Sequence, residues 1–362
     1  QISVSLGASL GHVSMGMSVS WANALIGDLR TDNTTLLNAH ISLDDWERNM
    51  MNNMVFAGSV PGFLVAGWLV AVLGRKGSMV AGATPGMLGW CIVAMATNTK
   101  MLIAARCLLG LTNGLLSVAA NTYVVEIPET AIRGGTGNLP TAMFCFGILI
   151  TIILHTRMHW YNIAFLCAGM QLFYILIVAI LLPESPSFLA VNNRDEEARK
   201  VLTMLRHRYA NIELEMSNIK DYNNDKITSD VFSIFGLFRT DIPKKIFIIS
   251  FLFFVRSFVG FEVFVTNAKA ICTVTGSSLE SSYIVSAAQL IGCFFSCLLM
   301  DRIGRRLALI VSLLGVCLVL FTMGTYIHLH NDIMKSWGKN MENVTFERTN
   351  GTTQTYDSIS ER

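Results

Sequence analysis

Residues 55–97 read VFAGSVPGFLVAGWLVAVLGRKGSMVAGATPGMLGWCIVAMAT, two apolar runs joined by the short basic turn Gly74-Arg75-Lys76. Each run has about 20 residues, the length that an α-helix needs to cross the hydrocarbon core of a bilayer. A strand of a membrane β-barrel needs only about half of that length, and a helix satisfies its backbone hydrogen bonds internally. The stretch therefore predicts two membrane-spanning helices in succession.

The rest of the chain has the same character. Of its 362 residues, 52% are apolar and 14% are charged, whereas about 25% of the residues in a soluble domain are charged. This balance excludes a soluble globular enzyme, a disulfide-stapled secreted module and a disordered tail. The predicted fold class is an all-α polytopic membrane protein with about nine spans, near residues 1–26, 50–73, 78–97, 101–125, 134–154, 160–182, 246–270, 280–300 and 307–329.

Motifs for catalysis or cofactor binding are not found in the sequence. The eight cysteines form no CxxC pair and no histidine lies at ligand spacing, so no metal or other cofactor is expected. The sequence also has no pairing of a nucleophile with a base, which argues against an enzyme. It has no phosphate-binding glycine loop, which argues against transport driven by ATP. The net charge of +2 gives no concentrated basic face for nucleic acid. The expected partners are a small-molecule solute and the lipid bilayer.

The alternation of apolar and polar stretches predicts four segments. They are an N-terminal six-helix transmembrane bundle at 1–182, a cytoplasmic helical linker at 183–245, the first three helices of a C-terminal bundle at 246–329, and an extracellular polar tail at 330–362. Within the linker, residues 194–208 place apolar side chains at helical spacing among charged ones. We expect two or three short amphipathic helices there; the alternative is a solvated linker.

The distribution of basic residues predicts the orientation of the spans. Lysine and arginine concentrate in the turns after spans two and eight and in the segment 183–245, and this side is expected to be cytoplasmic. The glycosylation sequons all fall on the opposite side, at Asn33, Asn343 and Asn350. The sequence therefore predicts a multi-pass plasma-membrane protein with a cytoplasmic N-terminus and an extracellular tail after the ninth span.

The basic turn recurs six spans later, as DRIGRR at 301–306. Such spacing is typical of transporters built from two parallel repeats, although ordinary positive-inside anchoring would also place basic residues there. With Arg106 and Glu126 bracketing span four, Arg133-Gly134 opening span five, and Pro183-Glu184-Ser185-Pro186 after span six, the chain resembles the sugar porter family of the major facilitator superfamily, which includes glucose and insect trehalose facilitators.

The resemblance implies a twelve-helix fold in two halves, of which this chain contains about nine helices and lacks the last three. It also implies alternating access, in which the halves rock about a central solute site. In that family, acidic and basic residues of the inner face form an ion-pair latch. The corresponding residues here are Arg75, Lys76, Glu126, Arg133, Glu184, Asp301, Arg305 and Arg306.

The solute-contacting positions depart from the family pattern. Span seven has Arg256 to Glu262 (RSFVGFE) where sugar porters carry a run of glutamine, serine and asparagine. Span five has Thr141 in place of a glutamine, whereas span eight keeps Gln289. The expected solute contacts are Thr141, Arg256, Ser257, Glu262 and Gln289. A charge deep in a membrane usually faces a cavity or a partner, so Arg256 and Glu262 either bind an altered solute or pair structurally in a cavity that no longer transports.

The first span bears on energy coupling. Proton-driven sugar porters resemble one another in an acidic residue on this helix, and here no carboxylate lies between Gln1 and Asp28. His12 is the ionisable side chain within it, and a lone helical histidine is more often packed or pore-lining than a proton relay. The sequence thus favours facilitated transport of a hexose or trehalose-like sugar. The alternatives are a non-transporting, sensor-like relative and a transporter of a charged organic solute.

Overall fold

The computed structural model describes residues 1–31, 35–36, 40–41, 43–129, 132–206, 212–228, 242–258, 260 and 280–329. Every regular element in these ranges is an α-helix. The helices are α1 Ile2–Ser9, α2 Gly11–Thr31, α3 Asp45–Ala94, α4 Thr99–Glu126, α5 Arg133–Gly137, α6 Leu139–His155, α7 Trp160–Leu181, α8 Pro186–Val191, α9 Asp195–Leu205, α10 Ile212–Thr228, α11 Ile242–Phe258, α12 Glu280–Ile303 and α13 Arg305–Leu329.

Four helical stretches are long and apolar enough to cross a bilayer by length and composition: Ile2–Ile26, Trp46–Ala94, Thr99–Glu126 and Trp160–Leu181. Shorter apolar helices cover Leu139–His155, Tyr283–Leu299 and Arg306–Thr322. These positions agree with the predicted spans. The predicted seventh span at 246–270 is described only through α11, and its remainder lies outside the described residues apart from Gly260.

Two of the predicted spans differ in detail from single straight helices. The first is divided at Leu10 into α1 and α2. The fifth begins with the short α5, and α6 then starts anew at Leu139 with Pro140 in its first turn. Proline fits this position because its missing N–H would have no partner inside the helix.

The helix α3 contains spans two and three in one 50-residue run. At about 1.5 Å per residue it would exceed two bilayer cores if it were straight. It is not straight, because Gly74 adopts φ 78° and ψ −178° inside it. The chain therefore reverses at the basic turn, as the two apolar runs predicted.

Spans two and four pack with their backbones in contact. Gly58 and Gly62 on α3 face Gly110 and Gly114 on α4, and a Cβ added to any of the four would clash with backbone atoms of the other helix. Both pairs have the small-xxx-small spacing. This spacing lets the backbones of membrane helices approach closely, and packing of this kind holds the helices together because the hydrophobic effect does not act between helices in lipid. This close contact fixes the position of the C-terminal end of α4 relative to the turn at Gly74.

At the end of the bundle away from Gly74, three tryptophans form a buried cluster. The ring of Trp21 meets those of Trp90 and Trp160 edge to face, at centroid distances of 5.9 and 6.1 Å. The indole N–H of Trp21 donates to the carbonyl of Trp160 at 3.0 Å. The Trp90 indole N–H also donates, to the Ser14 hydroxyl at 3.3 Å. The cluster joins α2, the second half of α3 and α7.

In the described parts of the segment between the sixth span and α11, the chain forms three helices, α8 to α10. They have a small core of their own, in which Leu189 of α8, Leu202 of α9 and Met216 of α10 are buried together. Charged side chains occupy the outer faces, as in an amphipathic helix of a soluble domain.

The contacts divide the chain into two units, Gln1–Arg302 and Ile303–Arg362. The first contains α1 to α11 and nearly all of α12. The described part of the second is α13, whose apolar side chains are largely exposed.

Candidate functional site

The turn at Gly74 is built around the carboxylate of Glu184. This carboxylate accepts hydrogen bonds from the backbone N–H groups of Arg75 at 3.0 Å, Lys76 at 3.2 Å and Ser185 at 2.8 Å. Arg75 and Lys76 are the first residues of the helix that follows the turn, whose N–H groups have no partner within the helix. A carboxylate here is favoured both by these donors and by the helix dipole. Glu184 therefore caps the third span.

Arg75 points instead at Glu126, the last residue of α4. Its Nε and Nη2 atoms donate to the two carboxylate oxygens of Glu126 at 2.9 and 2.6 Å. The guanidinium also lies over the ring of Phe188 at 5.6 Å, and the Ser185 hydroxyl donates to Glu126. Both side chains of the pair are about four-fifths buried, 17% and 20% exposed. This bidentate, partly desolvated geometry makes for a strong and directional ion pair.

The network joins three separate parts of the chain at one end of the bundle, which we call the GRK end. The turn between spans two and three, the end of span four and the segment after span six meet there through Arg75, Glu126 and Glu184. Tyr123 adds a further tie, since its hydroxyl donates to the carbonyl of Pro183 at 2.8 Å. The described contacts are thus all made among the first six spans and the PESP segment.

Two of the expected latch residues are placed differently. Lys76 contributes its backbone N–H to Glu184, as described above. Arg133 donates to the carbonyl of Pro128 at 3.4 Å, and its Nε is buried without a hydrogen-bond partner. Arg133 is the first residue of α5, and its side chain bonds to the backbone just before that helix. Among the described residues, it therefore lacks the carboxylate partner that was expected.

The second basic turn is only partly described. Arg306 lies in the first turn of α13 and is exposed. The side chains of Asp301 and Arg305 lie outside the described residues. The turn has one feature in common with the first, since Gly304 has φ 83° where Gly74 has φ 78°.

The expected solute contacts are spread over three helices. Thr141 lies in the first turn of α6 and is exposed. Arg256 and Ser257 lie in the last turn of α11 and are exposed, and the Ser257 hydroxyl donates to the carbonyl of Phe253 at 3.0 Å. Gln289 on α12 is half-buried. Glu262 lies outside the described residues, as do the sequons at Asn33, Asn343 and Asn350.

A contact between α6 and α12 relates two of these positions. The Sγ atoms of Cys145 and Cys293 lie 3.5 Å apart. Thr141 precedes Cys145 by one helical turn, and Gln289 precedes Cys293 by one turn. Thr141 and Gln289 therefore each lie about 6 Å from this contact along the axis of their own helix.

A buried arginine inside the bundle was identified from the sequence only as a boundary of span four. Arg106 is 1% exposed, and its Nε donates to the carbonyl of Met51 at 3.0 Å. Its Nη1 donates to the carbonyl of Ser18, and the guanidinium lies 5.9 Å from the ring of Trp21. A charge inside a membrane bundle requires such partners. Arg106 thereby ties α4 to α2 and α3.

The docking of α9 and α10 on the bundle was not predicted. Arg206, with a side chain 4% exposed, donates through Nε and Nη2 to Glu215 of α10 at 2.9 and 2.5 Å, and through Nη1 to the carbonyl of Ile127 at 2.9 Å. Gln1 makes a parallel link, because its amide donates to the carbonyl of Leu205 in α9 at 2.9 Å and to Glu129 at 3.0 Å. Arg206 and Gln1 carry no sequence pattern that distinguishes them from other polar residues of the segment.

Comparison with known proteins gives the same family throughout. The model of the family "Sugar (and other) transporter" matches residues 11–346. Facilitated trehalose transporters Tret1 of Anopheles gambiae and Culex quinquefasciatus are 28% and 29% identical over 336 residues, or 92% of this chain. The match covers 42% and 64% of those relatives, so the chain spans less than two thirds of their length.

Solved structures show the same fold. The proton:xylose symporter XylE bound to 6-bromo-6-deoxy-D-glucose superposes with a TM-score of 0.70 over 84% of this chain and 70% of that one, at 18% identity. A partially occluded, inward-open XylE from E. coli gives 0.65 over 84% and 74%, at 16% identity. The all-helical architecture is therefore that of the major facilitator superfamily, and the matched relatives are transporters, not enzymes. The chain belongs to the sugar (and other) transporter family.

Proposed function

We propose that this protein moves a sugar, a hexose or a trehalose-like disaccharide, across the plasma membrane by facilitated alternating access. Membership of the sugar transporter family supports the solute class, and the relatives named as facilitated trehalose transporters support the disaccharide. The observation that carries the mechanism is the ion-pair network of Arg75, Glu126 and Glu184 at the GRK end. No covalent chemistry is needed, because binding energy and conformational change account for transport.

The network has a defined part in this mechanism. A half that rocks as a body must keep its helices in register, and the network fastens the ends of spans two, three, four and six to one another. The GRK end would face the cytoplasm by the positive-inside rule. Lys76 and Arg133, together with Asp301, Arg305 and Arg306 of the second basic turn, would complete the inner gate when the central cavity opens to the outside.

Solute contacts are proposed at Thr141, Arg256, Ser257, Glu262 and Gln289. The positions of Thr141 and Gln289, each one helical turn from the contact between α6 and α12, support this assignment. Hydroxyl and amide side chains of this kind suit sugar hydroxyls, which both donate and accept hydrogen bonds.

The absence of a coupling acid supports transport down the solute gradient. The sequence from Gln1 to Asp28 contains no carboxylate before Asp28 itself. Asp28 is already engaged at the tryptophan end, where it accepts from the backbone N–H of Trp160 at 2.9 Å and lies 3.6 Å from His155. Asp28 thereby joins the last turn of α2 to the start of α7 and the end of α6.

Uptake measurements test both parts of the proposal. The complete reading frame that contains this chain is expressed in oocytes, and labelled glucose and trehalose are supplied over a range of concentrations. We expect saturable uptake of at least one sugar that a protonophore does not reduce, and trans-stimulation by the same unlabelled sugar inside the cell. Uptake that collapses with the protonophore would reject the uncoupled mechanism, and absence of uptake of both sugars would reject the solute class.

A second function is favoured by the charges of span seven. Arg256 and Glu262 replace uncharged residues of the family pattern, which fits a charged or zwitterionic solute, or a sensor-like relative that does not transport. In the same oocytes, the double variant Arg256→Gln with Glu262→Asn distinguishes these cases. Restored sugar uptake in the variant alone would support an altered solute, whereas binding without uptake in both would support the sensor.

A further inference from the structure

The contact between α6 and α12 consists of two thiols. The Sγ atoms of Cys145 and Cys293 are 3.5 Å apart, and Cys145 is 2% exposed. The other close sulfur contacts of described thiols involve methionines: Cys107 lies 3.8 Å from the Sδ of Met54, and Cys167 lies 3.8 Å from the Sδ of Met17. A thioether cannot form a disulfide, so Cys145 and Cys293 are the described pair with both the chemistry and the proximity to do so.

The two sulfur atoms lie about 1.5 Å beyond bonding distance. A disulfide has an S–S length of about 2.05 Å, so the sulfurs must approach by about 1.5 Å. Cys145 lies in the middle of a 17-residue helix and Cys293 in the middle of a 24-residue helix. Both cysteines are therefore held within regular helix on either side.

We propose that Cys145 and Cys293 are an oxidation-sensitive pair whose disulfide joins the first six spans to span eight and arrests the conformational cycle. The oxidant is a peroxide, a small neutral molecule able to enter the membrane. One thiol loses its proton and its sulfur attacks the O–O bond of the peroxide, which breaks to give a sulfenic acid and a hydroxide that takes up this proton as water. The second sulfur then attacks the sulfenic sulfur and displaces its hydroxide, which takes the proton of the second thiol and leaves as the second water. In total, two thiols and one hydrogen peroxide give one disulfide and two waters.

The arrest follows from the position of the pair, and this part rests on the proposed function. Helices α6 and α12 come from different six-helix repeats of the fold. Alternating access requires the repeats to move relative to each other, and a covalent bond at mid-helix prevents sliding or separation at that point. Two reduced cysteines that only pack against each other would not arrest the cycle, because no covalent bond would join the two helices.

A cross-linking experiment tests the bond independently of transport. A protease recognition sequence is inserted between residues 229 and 241, so that cleavage separates Cys145 from Cys293. Membranes are treated with hydrogen peroxide, cleaved, and run on non-reducing gels. We expect the two fragments to stay joined and to separate on adding dithiothreitol. Cys145→Ser and Cys293→Ser should abolish the joined band, whereas Cys297→Ser, one turn further along α12, should keep it.

Transport in the same preparation tests the arrest. We expect peroxide to lower sugar uptake at least tenfold in the unaltered protein, with recovery after dithiothreitol, and to leave Cys145→Ser and Cys293→Ser unaffected. Fragments that separate without reductant would overturn the cross-link. A joined band with unchanged uptake would overturn the arrest. If no sugar is taken up even under reducing conditions, the proposed function fails while the gel still decides whether the pair is reactive.

Discussion

At the scale of single residues, Gly74 is required for two separate reasons. Its φ of 78° and ψ of −178° lie in a region that is essentially limited to glycine and costs other residues about 1–3 kcal/mol. A Cβ at this position would also lie 2.6 Å from the Oε2 atom of Glu184, the carboxylate that caps the third span. Any side chain would therefore displace the group around which the turn is organised.

Gly74→Ala is expected to lower the apparent Tm of the purified protein in detergent, because it adds backbone strain and disrupts the Glu184 cap. Gly67→Ala is the matched control, since this glycine lies in the same helix and a Cβ there meets nothing within 4 Å. The control should leave the Tm unchanged or raise it slightly, as alanine is the better helix former. Equal effects of the two substitutions would mean that the turn tolerates a side chain.

The ion pair of Arg75 and Glu126 is tested by a double-mutant cycle. Because its members are mostly buried and bidentate, we expect a coupling energy of about 1–2 kcal/mol. Arg75→Gln and Glu126→Gln should each lower the Tm, and the double variant should lower it by less than the sum. The exposed pair Arg194 and Glu197, with side chains 54% and 51% exposed, is the control, with coupling below about 0.5 kcal/mol. Additive effects at Arg75 and Glu126 would contradict the pairing.

Three of the eight residues expected in the latch lie together at the GRK end, and their role as a latch stays a prediction. Arg75, Glu126 and Glu184 were all expected in the latch, and all are found together. The capping role of Glu184 was not predicted, because its partners are backbone N–H groups. Every residue except proline has such a group, so the sequence does not indicate which ones will bind a carboxylate. Arg133 was expected to find a carboxylate and binds a carbonyl of its own turn instead.

At the scale of secondary-structure elements, the position of α9 and α10 depends on Arg206. The residue joins α10, through Glu215, to the segment after span four, through the carbonyl of Ile127. Apolar contacts add to this, since Leu205 packs with Val124 and Ile127 of the bundle. The three short helices are thus attached to the bundle at the GRK end and are more than a solvated linker.

Arg206→Gln is expected to loosen this attachment. Removing one member of a buried pair costs about 3–5 kcal/mol, part of which is recovered because Glu215 is one-third exposed and can hydrate. We predict that backbone amides of α9 and α10 exchange with deuterium at least tenfold faster, while those of α4 are unchanged. The measurement is hydrogen exchange followed by mass spectrometry.

Arg199→Gln is the control for this measurement, because Arg199 pairs with Glu213 on the exposed side of the same helices. It should change the exchange rates by less than about twofold. An equal acceleration in both variants would show that Arg206 acts only as one more surface charge. Unchanged exchange in Arg206→Gln would show that the apolar contacts hold the helices alone.

At the scale of the whole molecule, the positions of the apolar helices in the described residues were the most predictable feature. A segment that crosses a bilayer as a helix must be long and apolar, and both properties can be recognised in the amino-acid sequence alone. Lateral packing was less predictable, since the contact between Cys145 and Cys293 joins residues far apart in sequence. The proposed solute site stays a prediction for the same reason: it depends on the arrangement of Thr141, Arg256 and Gln289 in space.

The orientation of the molecule in the membrane gives the final prediction. The sequons at Asn33, Asn343 and Asn350 should be glycosylated if the GRK end is cytoplasmic, because all three then face the lumen during synthesis. A glycosidase should lower the apparent mass of the protein, and the triple Asn→Gln variant should not respond. The control is Arg194→Thr, which creates a sequon at Asn192 in the segment between α8 and α9 and should add no glycosidase-sensitive mass. A mass increase in that variant would place the GRK end outside the cell, where Arg75 and Glu126 could not act as an inner latch.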